Sequence, residues 1–407
     1  MQTLFAGGRV FDGENPSADG LGVLIEGARV RRVAPLAEFD GFAGQRVDTA
    51  GATLMPGLAD CHVHLMMGGE PDPIAARTKV SSGALVLKGL ERAQAALCGG
   101  MTMLRDCGGI DYLEFAVRDA LNAGRFAGPT VRAAGRMICM TGGHGNIIAR
   151  VADGVDEVVK AVREQIHAGS DLIKIMATGG VMTPGVDPED AHYSAEEMAA
   201  GIGEGHRFHR KCASHAQGAE GILNAVVGGV DSIEHGIFMD ERCITEMIER
   251  GTVLVPTLSA IRNILAHRDH GIPAYMVEKC DRVTARHVES LRRFYEAGGR
   301  IAMGTDAGTP FNLHGENALE LAYMVEAGMA PLDALRSATR IGADLIGLDD
   351  KGRVAEGAAA DFLIVEGDPT ADIARAAEKR HHRAVVKDGA LAAGDFGGHA
   401  ETDRAAE

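Results

Sequence analysis

The sequence contains no tryptophan, and all aromatic residues together make up only 4% of it. With so few rings, the hydrophobic core has to be built from alanine, valine, isoleucine, leucine and methionine. The sequence also lacks any apolar stretch of about 18 residues, the length at which a transmembrane helix is expected. No membrane span and no membrane partner are therefore predicted.

An excess of positive charge is absent as well. Lysine and arginine number 41 against 57 aspartates and glutamates, which gives a net charge of −16. A chain this acidic repels phosphate backbones, so no nucleic-acid partner is expected. The seven cysteines, an odd number in a long chain, do not form the pattern of a disulfide framework. The opening residues show neither a basic segment nor an apolar run typical of a secretory signal, so a cytoplasmic location is predicted.

The pattern of apolar and polar residues changes twice along the 407 residues of the sequence. Residues 1 to about 50 contain short β-rich runs separated by turns. After Pro56-Gly57, short apolar runs alternate with segments of helical period, which is typical of repeated βα units. Strand-like runs return near the C-terminal end. We therefore predict an α/β protein, with a (β/α)8 TIM barrel over residues 55–354 and a small β-sandwich domain built from residues 1–54 and 355–400.

Eight runs are candidates for the barrel strands: residues 58–64, 101–106, 130–135, 172–178, 211–215, 232–235, 253–257 and 301–306. In such barrels the active site forms at the rim where the strands end. Chemically active side chains near the ends of these runs are therefore candidate site residues.

The first candidate strand ends in Asp60-Cys61-His62-Val63-His64. Because side chains alternate along a strand, His62 and His64 share one face and could bind one metal ion. Alternatively, the two imidazoles make only hydrogen bonds inside the barrel mouth. The same alternation points Cys61 to the opposite face, so it is not a predicted ligand.

Four other residues lie in or at the end of later candidate strands, namely Lys174, His215, His235 and Asp306. Taken singly, each has an ordinary explanation: an interior histidine is commonly a satisfied polar group, and a carboxylate after a strand is commonly a helix cap. A lysine in an apolar run has to be paired, neutral or modified. Their joint placement at one rim favours a metal site. Imidazole and carboxylate ligands suit Zn²⁺ first, then Mn²⁺, Co²⁺ or Fe²⁺.

With these motifs the sequence resembles the metal-dependent amidohydrolase superfamily, and within it the group of imidazolonepropionases, Xaa-Pro dipeptidases (prolidases) and ochratoxin-hydrolysing amidohydrolases. The resemblance extends over nearly the whole chain. It rests on Pro56-Gly57-Leu58-Ala59-Asp60 before His62, Lys174-Ile175-Met176-Ala177-Thr178-Gly179-Gly180, Ser214-His215-Ala216-Gln217-Gly218, Ile233-Glu234-His235-Gly236 and Met303-Gly304-Thr305-Asp306-Ala307-Gly308.

The resemblance implies a site with two divalent metal ions. His62, His64 and Asp306 would hold one ion, and His215 and His235 the other. Lys174 would bridge both as a carbamate formed with CO2, which also removes the cost of burying its charge. Asp306 would act as general base and then as general acid.

The activity that the resemblance implies is hydrolysis of a peptide or N-acyl amide bond next to a free carboxylate. The alternative is hydrolysis of a cyclic amide, as in imidazolonepropionase. A deaminase is disfavoured because Gly218 replaces the glutamate that deaminases of this type show three residues after His215, and because Lys174 occupies the bridging position. A non-catalytic scaffold is disfavoured because every matching ligand position is filled.

Substrate contacts are harder to predict. His144, in a glycine-rich loop, is a candidate donor to the substrate carbonyl or carboxylate, and Tyr193 is a candidate contact after the fourth strand. Arg136, Arg150 and Arg262 are unranked candidates for binding a carboxylate. Residues 67–81, 182–192 and 261–272 are predicted to form lids or walls. The substrate is expected to be a small amide or dipeptide, and assembly into a homo-oligomer is expected by resemblance only.

Overall fold

The computed structural model describes residues 2–77 and 79–396 of the chain. The strands are β1 Gln2–Ala6, β2 Arg9–Val10, β3 Leu21–Glu26, β4 Arg29–Pro35, β5 Gln45–Asp48, β6 Ala52–Pro56, β7 Leu58–Val63, β8 Met101–Asp106, β9 Thr130–Ala133, β10 Ile138–Cys139, β11 Arg150–Val151, β12 Leu172–Met176, β13 Lys211–Ala216, β14 Ser232–His235, β15 Val253–Val255, β16 Phe362–Glu366, β17 His382–Lys387 and β18 Ala390–Gly394. The α-helices are α1 Pro73–Arg77, α2 Ser82–Cys98, α3 Leu113–Asn122, α4 Gly154–Ala168, α5 Ala195–Arg207, α6 Ala219–Val227, α7 Glu241–Arg250, α8 Leu258–Ala266, α9 Ala274–Glu296, α10 Leu319–Glu326, α11 Pro331–Ser337, α12 Arg340–Ile346 and α13 Ala374–Ala377.

The two ends of the chain form two sheets, one of N-terminal strands and one that combines strands from both ends. One sheet has the order β4-β3-β1-β5, and the other has the order β18-β17-β16-β6-β2, in which β16 pairs antiparallel with β6. The two sheets share one buried apolar cluster, to which Phe5 and Ile25 contribute from the first sheet and Leu54 and Phe362 from the second. The expected domain boundaries stay a prediction, and residues 397–400 of the expected β domain lie outside the described residues.

The middle of the chain forms parallel strands separated by helices. β7, β8 and β9 make one parallel sheet, and β11-β10-β12-β13-β14-β15 make another. The segment that follows α9 links the last strand to the first: the Ala302 amide donates to the Leu254 carbonyl, and the Cys61 amide donates to the Met303 carbonyl, each over 2.9 Å. These bonds join one edge of each parallel sheet, β15 and β7, through the segment after α9.

Two of the predicted strands are less regular than their sequences indicate. The third ends at Ala133 and resumes as β10, because the chain turns at Gly135, which has a φ of 77° that favours glycine. The predicted strand 301–306 has only isolated bridges, Leu254 to Ile301 and Val63 to Ala307, and Asp306 itself adopts a φ of 60°. Both departures occur next to the cavity described below.

The helices follow the apolar periodicity of the sequence. In α4 the buried residues Val158, Ala161, Val162 and Gln165 lie on one face, as a period of 3.6 residues requires. α5 begins with a capping box in which the Ser194 hydroxyl accepts the amide of Glu197. Within the described residues, no helix has the length and apolar character that a bilayer span would need.

Candidate metal centre

The structure brings the six predicted ligands together around one cavity. Its volume is about 120 Å³, and its lining includes His62, His64, Lys174, His215, His235 and Asp306. Each of these residues lies in or directly after a parallel strand or the segment that follows α9. The strand ends therefore place chemistry from distant parts of the chain at a single point.

The side chains of the candidate ligands lie close to one another. The Asp306 Oδ1 atom lies 3.1 Å from His64 Nε2 and 3.5 Å from His62 Nε2. The ring centroids of His62 and His235 are 5.2 Å apart, and those of His215 and His235 are 4.6 Å apart. One ligand atom each of His62, His235 and Asp306 lies within 4.8 Å of the others, close enough to share one metal ion.

Lys174 is a buried polar group of this cavity that lacks a partner among the described residues. The residue is only 2% exposed, and its Nζ atom has no hydrogen-bond partner among the described residues. It lines the same cavity as His62, His215 and His235, and after burial its positive charge is a further cause that lowers the pKa of all three rings. A buried ammonium group with only imidazoles and one carboxylate nearby is unfavourable unless its charge is removed or compensated.

The histidines of the cavity are held in defined tautomers by neighbouring oxygens. His62 Nδ1 donates to Glu234 over 2.8 Å, His64 Nδ1 to the Gly108 carbonyl over 2.8 Å, and His215 Nε2 to the Gly179 carbonyl over 2.9 Å. One ring nitrogen of each residue is thereby occupied by a hydrogen bond. The other nitrogen keeps the lone pair that a metal ligand needs.

The fourth histidine is oriented by a threonine. The Thr257 hydroxyl donates its proton to the Pro256 carbonyl over 2.6 Å, so it accepts the Nδ1 proton of His235 over 2.7 Å. Thr257 has a φ of 56° and begins α8. The strain of this turn places its hydroxyl beside the imidazole.

Burial also sets the charge of these groups. It lowers the pKa of His62, His215 and His235 well below the usual range, so all three are neutral at pH 7. Burial alone would raise the pKa of Asp306, but His62 and His64 lower it to about 2. Neutral imidazoles and an ionised carboxylate are the protonation states in which these side chains bind metal ions.

Glu234 and Arg105 support the centre, although the sequence analysis assigned no role to either. Glu234 is fully buried between His62 and Arg105, whose Nη2 atom donates to it over 2.7 Å. Arg105 also donates to the Ser232 hydroxyl over 3.0 Å. A charged residue inside an apolar strand was the sequence signal that could have identified both.

His144 lies where the sequence analysis predicted it, at the cavity wall. Its ring centroid is 4.4 Å from that of His215, and burial lowers its pKa to about 3. Gly180 permits this close approach, since a Cβ atom there would lie 2.6 Å from the His144 ring. The Nδ1 atom of His144 has no hydrogen-bond partner among the described residues.

Tyr193 does not reach the cavity, which corrects the expectation that it contacts the substrate. The residue is 2% exposed and packs in the main apolar core, where its hydroxyl donates to the Ala152 carbonyl over 2.7 Å. Tyr193 directly precedes Ser194, the N-cap residue of α5, and its aromatic ring contributes to the packing of that helix. The apolar staple before a helix cap is the better interpretation of this residue.

None of the three candidate arginines lines the cavity. Arg136 donates to the carbonyls of Ile148 and Ala149, Arg150 pairs with Glu164, and Arg262 pairs with Glu326. Each of the three is therefore engaged elsewhere. The predicted walls do contribute: Met67, Met182 and Ile261 lie in the lining, one from each predicted segment.

Comparison with known proteins identifies the family. The profile of the amidohydrolase family matches residues 53–392. The chain belongs to this family. The chain is also 34% identical over 372 residues to ochratoxinase of Aspergillus niger, an alignment that covers 83% of this chain and 75% of that protein. It is 26% identical over 357 residues to imidazolonepropionase of Cutibacterium acnes, which covers 84% of this chain and 82% of the relative.

Solved structures of other amidohydrolases resemble this fold closely. The crystal structure of a Xaa-Pro dipeptidase with methionine bound in its active site has a TM-score of 0.87 and 33% identity, covering 96% of this chain and 99% of that one. The crystal structure of A. niger ochratoxinase has a TM-score of 0.86 and 29% identity, covering 96% of this chain and 95% of that one. This amidohydrolase is therefore a hydrolase that acts on amide bonds, in a superfamily that generally uses divalent metal ions.

Proposed function

We propose that this amidohydrolase hydrolyses a peptide or N-acyl amide bond in the cavity and uses two divalent metal ions, with Zn²⁺ as the preferred metal. In this proposal His62, His64 and Asp306 would hold one ion, His215 and His235 would hold the other, and Lys174 would supply oxygen ligands as a carbamate. The observation that supports this most directly is the buried Lys174 amine, which lies among neutral imidazoles and has no hydrogen-bond partner in the described part of the chain. Carbamate formation would convert that amine into an anion with two oxygen ligands.

The residues present fit this metal group. Imidazole nitrogens and carboxylate oxygens form the donor set that Zn²⁺ accepts, and Cys61 is excluded because its thiol contacts the Gly342 carbonyl away from the cavity. When bound, divalent cations supply Lewis acidity, which lowers the pKa of water and polarises a carbonyl.

The chain's own residues move the protons. Asp306 is ionised, with its pKa at about 2 in the described site, and lies at the cavity wall. It accepts a proton from the attacking water and returns it to the leaving amine, as general base and then general acid. His144, whose ring is tilted by 32° against that of His215, donates a hydrogen bond to the carbonyl oxygen of the substrate as negative charge develops there.

We also propose that the parallel strands close into a (β/α)8 barrel over residues 55–354 and that the sheets from the two chain ends form a β-sandwich domain. The hydrogen bonds of residues 300–307 to β15 and to β7 support closure. The apolar cluster that Phe5 and Phe362 share supports the sandwich. The barrel rim then coincides with the cavity.

Peptide and N-acyl amides are the first substrate class, and cyclic amides are the second. The ranking follows similarity: identity is 34% to ochratoxinase and 26% to imidazolonepropionase. The sequence expectation of a free carboxylate next to the scissile bond belongs to the first class. Panels of dipeptides, N-acyl amino acids, neutral N-acyl amines and cyclic amides separate these possibilities.

The experiment that tests the proposed function compares the zinc- and bicarbonate-loaded wild type with Asp306→Asn on these panels. We expect the wild type to hydrolyse linear amides, and kcat to fall about 10²–10⁴-fold in Asp306→Asn because the proton acceptor is lost. Metal analysis of the variant separates the two roles of Asp306: content close to that of the wild type assigns the loss of kcat to the proton acceptor, and reduced content assigns it to a lost ligand. Undiminished turnover in Asp306→Asn would remove its role, and activity on cyclic amides alone would reverse the ranking.

A further inference from the structure

Outside the candidate ligands, the cavity wall is mainly apolar. Six of its side chains surround the space in front of the ligands: Met137, Ile147, Ile148, Met176, Val181 and Met182. They come from three different places in the chain, the segment around β10, the end of β12 and the loop after β12. A substrate group that fills this space exchanges water for apolar contacts and so has to be largely apolar itself.

Gln217 places one neutral polar group on this wall. It follows His215 by two residues on β13 and its loop, so both side chains face the cavity. Its backbone is fixed, since its amide donates to the Thr178 hydroxyl over 3.0 Å and its carbonyl accepts the Phe238 amide over 2.8 Å. The residue is 3% exposed, yet its Oε1 atom has no hydrogen-bond partner among the described residues.

An unpartnered buried amide oxygen is unfavourable unless a ligand satisfies it. A primary amide offers both donors and an acceptor, and it has no charge. Whichever way the Gln217 head group is turned, it therefore complements a neutral N–H or C=O group. The substrate amide itself, or a second amide beside it, has this chemistry.

Fixed positive charge for a carboxylate is lacking on the described part of this wall. Among the side chains that the structure describes, Lys174 is the single lysine or arginine of the lining. Lys279 lies behind the wall, but its ammonium group donates to the carbonyls of Gly180, Thr183 and Val186 over 3.1, 2.7 and 2.6 Å. On the part of the wall away from the candidate ligands, a carboxylate would lose its hydration to neutral and apolar partners.

We infer that the substrate class of this amidohydrolase is a neutral N-acyl amide with an apolar substituent, recognised through a hydrogen bond to Gln217, rather than an amide with a free carboxylate next to the scissile bond. This inference rests on the proposed function and narrows its substrate. It assigns Gln217 as the residue that determines specificity.

A matched pair of substrates tests the inference. N-acetyl-2-phenylethylamine and N-acetyl-L-phenylalanine differ by one carboxylate, and both would be given to the zinc- and bicarbonate-loaded wild type. We expect kcat/KM to be at least about tenfold higher for the neutral amide, which corresponds to one strong polar contact. Gln217→Leu should raise KM for the neutral amide about fivefold with a smaller change in kcat, because an N–H group loses its acceptor.

Gln217→Arg is the converse variant, since it places a cation on the same wall. It should shift the preference toward N-acetyl-L-phenylalanine by about tenfold or more relative to the wild type. A wild-type preference for the carboxylate substrate would overturn the inference and leave the proposed function intact. If neither compound is hydrolysed, the proposed function fails for this pair, and their dissociation constants, measured by calorimetry, still decide: tighter binding of the acid contradicts the inference, and tighter binding of the neutral amide supports it.

Discussion

At the scale of individual residues, the protonation states of two buried side chains need an explanation: Lys174 in the cavity and Glu114 behind it. Glu114 is fully buried in α3, and neither of its carboxyl oxygens has a hydrogen-bond partner among the described residues. Burial, and then the nearby Asp106, raise the pKa of Glu114 to about 8. The folded protein therefore holds a proton on Glu114 at pH 7.

This proton predicts a pH dependence of stability. Between the ordinary pKa of about 4.5 and the folded value of about 8, the folded state binds one proton more than the unfolded state. The free energy of unfolding should therefore fall with rising pH across this window, by about 1.4 kcal/mol per unit for this proton. Glu114→Gln should lose that slope and be more stable than the wild type at pH 9.

Urea unfolding of both proteins from pH 5 to pH 9 measures the effect. Glu70→Gln provides the matched control, because it is the same exchange at a side chain that is 35% exposed and pairs with Arg92. Parallel slopes for the wild type and Glu114→Gln would show that Glu114 is ionised in the folded state.

At this scale the sequence predicted which polar side chains meet, because strand ends of a parallel barrel share one rim. Their roles as metal ligands stay a prediction. The sequence analysis was wrong about Tyr193. In its position before a helix cap the ring packs in the core, and the hydroxyl donates a hydrogen bond to the Ala152 carbonyl. It missed Glu234 because a buried ion pair with Arg105 depends on a contact between distant strands.

Among the elements, helix α9 holds the loop that follows β12. Three side chains on one face of α9 reach this loop: Tyr275 donates to the Met182 carbonyl over 3.0 Å, Lys279 to three carbonyls, and Arg282 pairs with Asp187. The loop supplies Val181 and Met182 to the cavity wall. The helix therefore determines the shape of the substrate space without touching it.

Replacing Lys279 by methionine should loosen this loop. We expect KM to rise about tenfold, the equivalent of about 1.4 kcal/mol, while kcat and metal content change little, because the residues that Lys279 contacts shape the wall and none of them is a candidate ligand. Arg286→Met on the same helix is the control, since Arg286 pairs with Glu289 on α9 itself. A loss of kcat and metal in Lys279→Met with unchanged KM would contradict the role of the loop.

The order of strands and helices was largely predictable, because apolar runs and helical period depend on local sequence. The interruptions of two strands were not predictable. The third strand is interrupted at Gly135, and residues 301–307 form isolated bridges, since at both places the chain turns toward the cavity and Gly135 and Asp306 take positive φ values. Local sequence does not show at which positions the geometry of a site interrupts the regular pairing of strands.

At the scale of the whole molecule, the two chain ends are held together by one apolar cluster. The rings of Phe5 and Phe362 contact each other edge to face at a centroid distance of 5.7 Å, and Phe362 is fully buried. Phe362→Ala should lower the free energy of unfolding by about 3–5 kcal/mol because it leaves a cavity between the sheets.

Leu391 on the neighbouring part of the same sheet is the control, since it is 45% exposed. Leu391→Ala should cost about 1 kcal/mol or less, because little of its surface leaves water on folding. Chemical denaturation of the two variants gives both numbers. Equal losses would show that the sheets of the two chain ends do not share a core in solution.

The central claim is that Lys174 and the surrounding histidines hold two metal ions, and metal content tests it most directly. The apoprotein would be reconstituted with zinc with and without bicarbonate, and the bound metal counted, beside Lys174→Met and the exposed-lysine control Lys88→Met. We predict about two equivalents in the wild type and in Lys88→Met, with uptake that increases with bicarbonate, and a clear loss of metal in Lys174→Met. Full metal content in Lys174→Met without dependence on bicarbonate, or no bound metal in the wild type, would contradict the account.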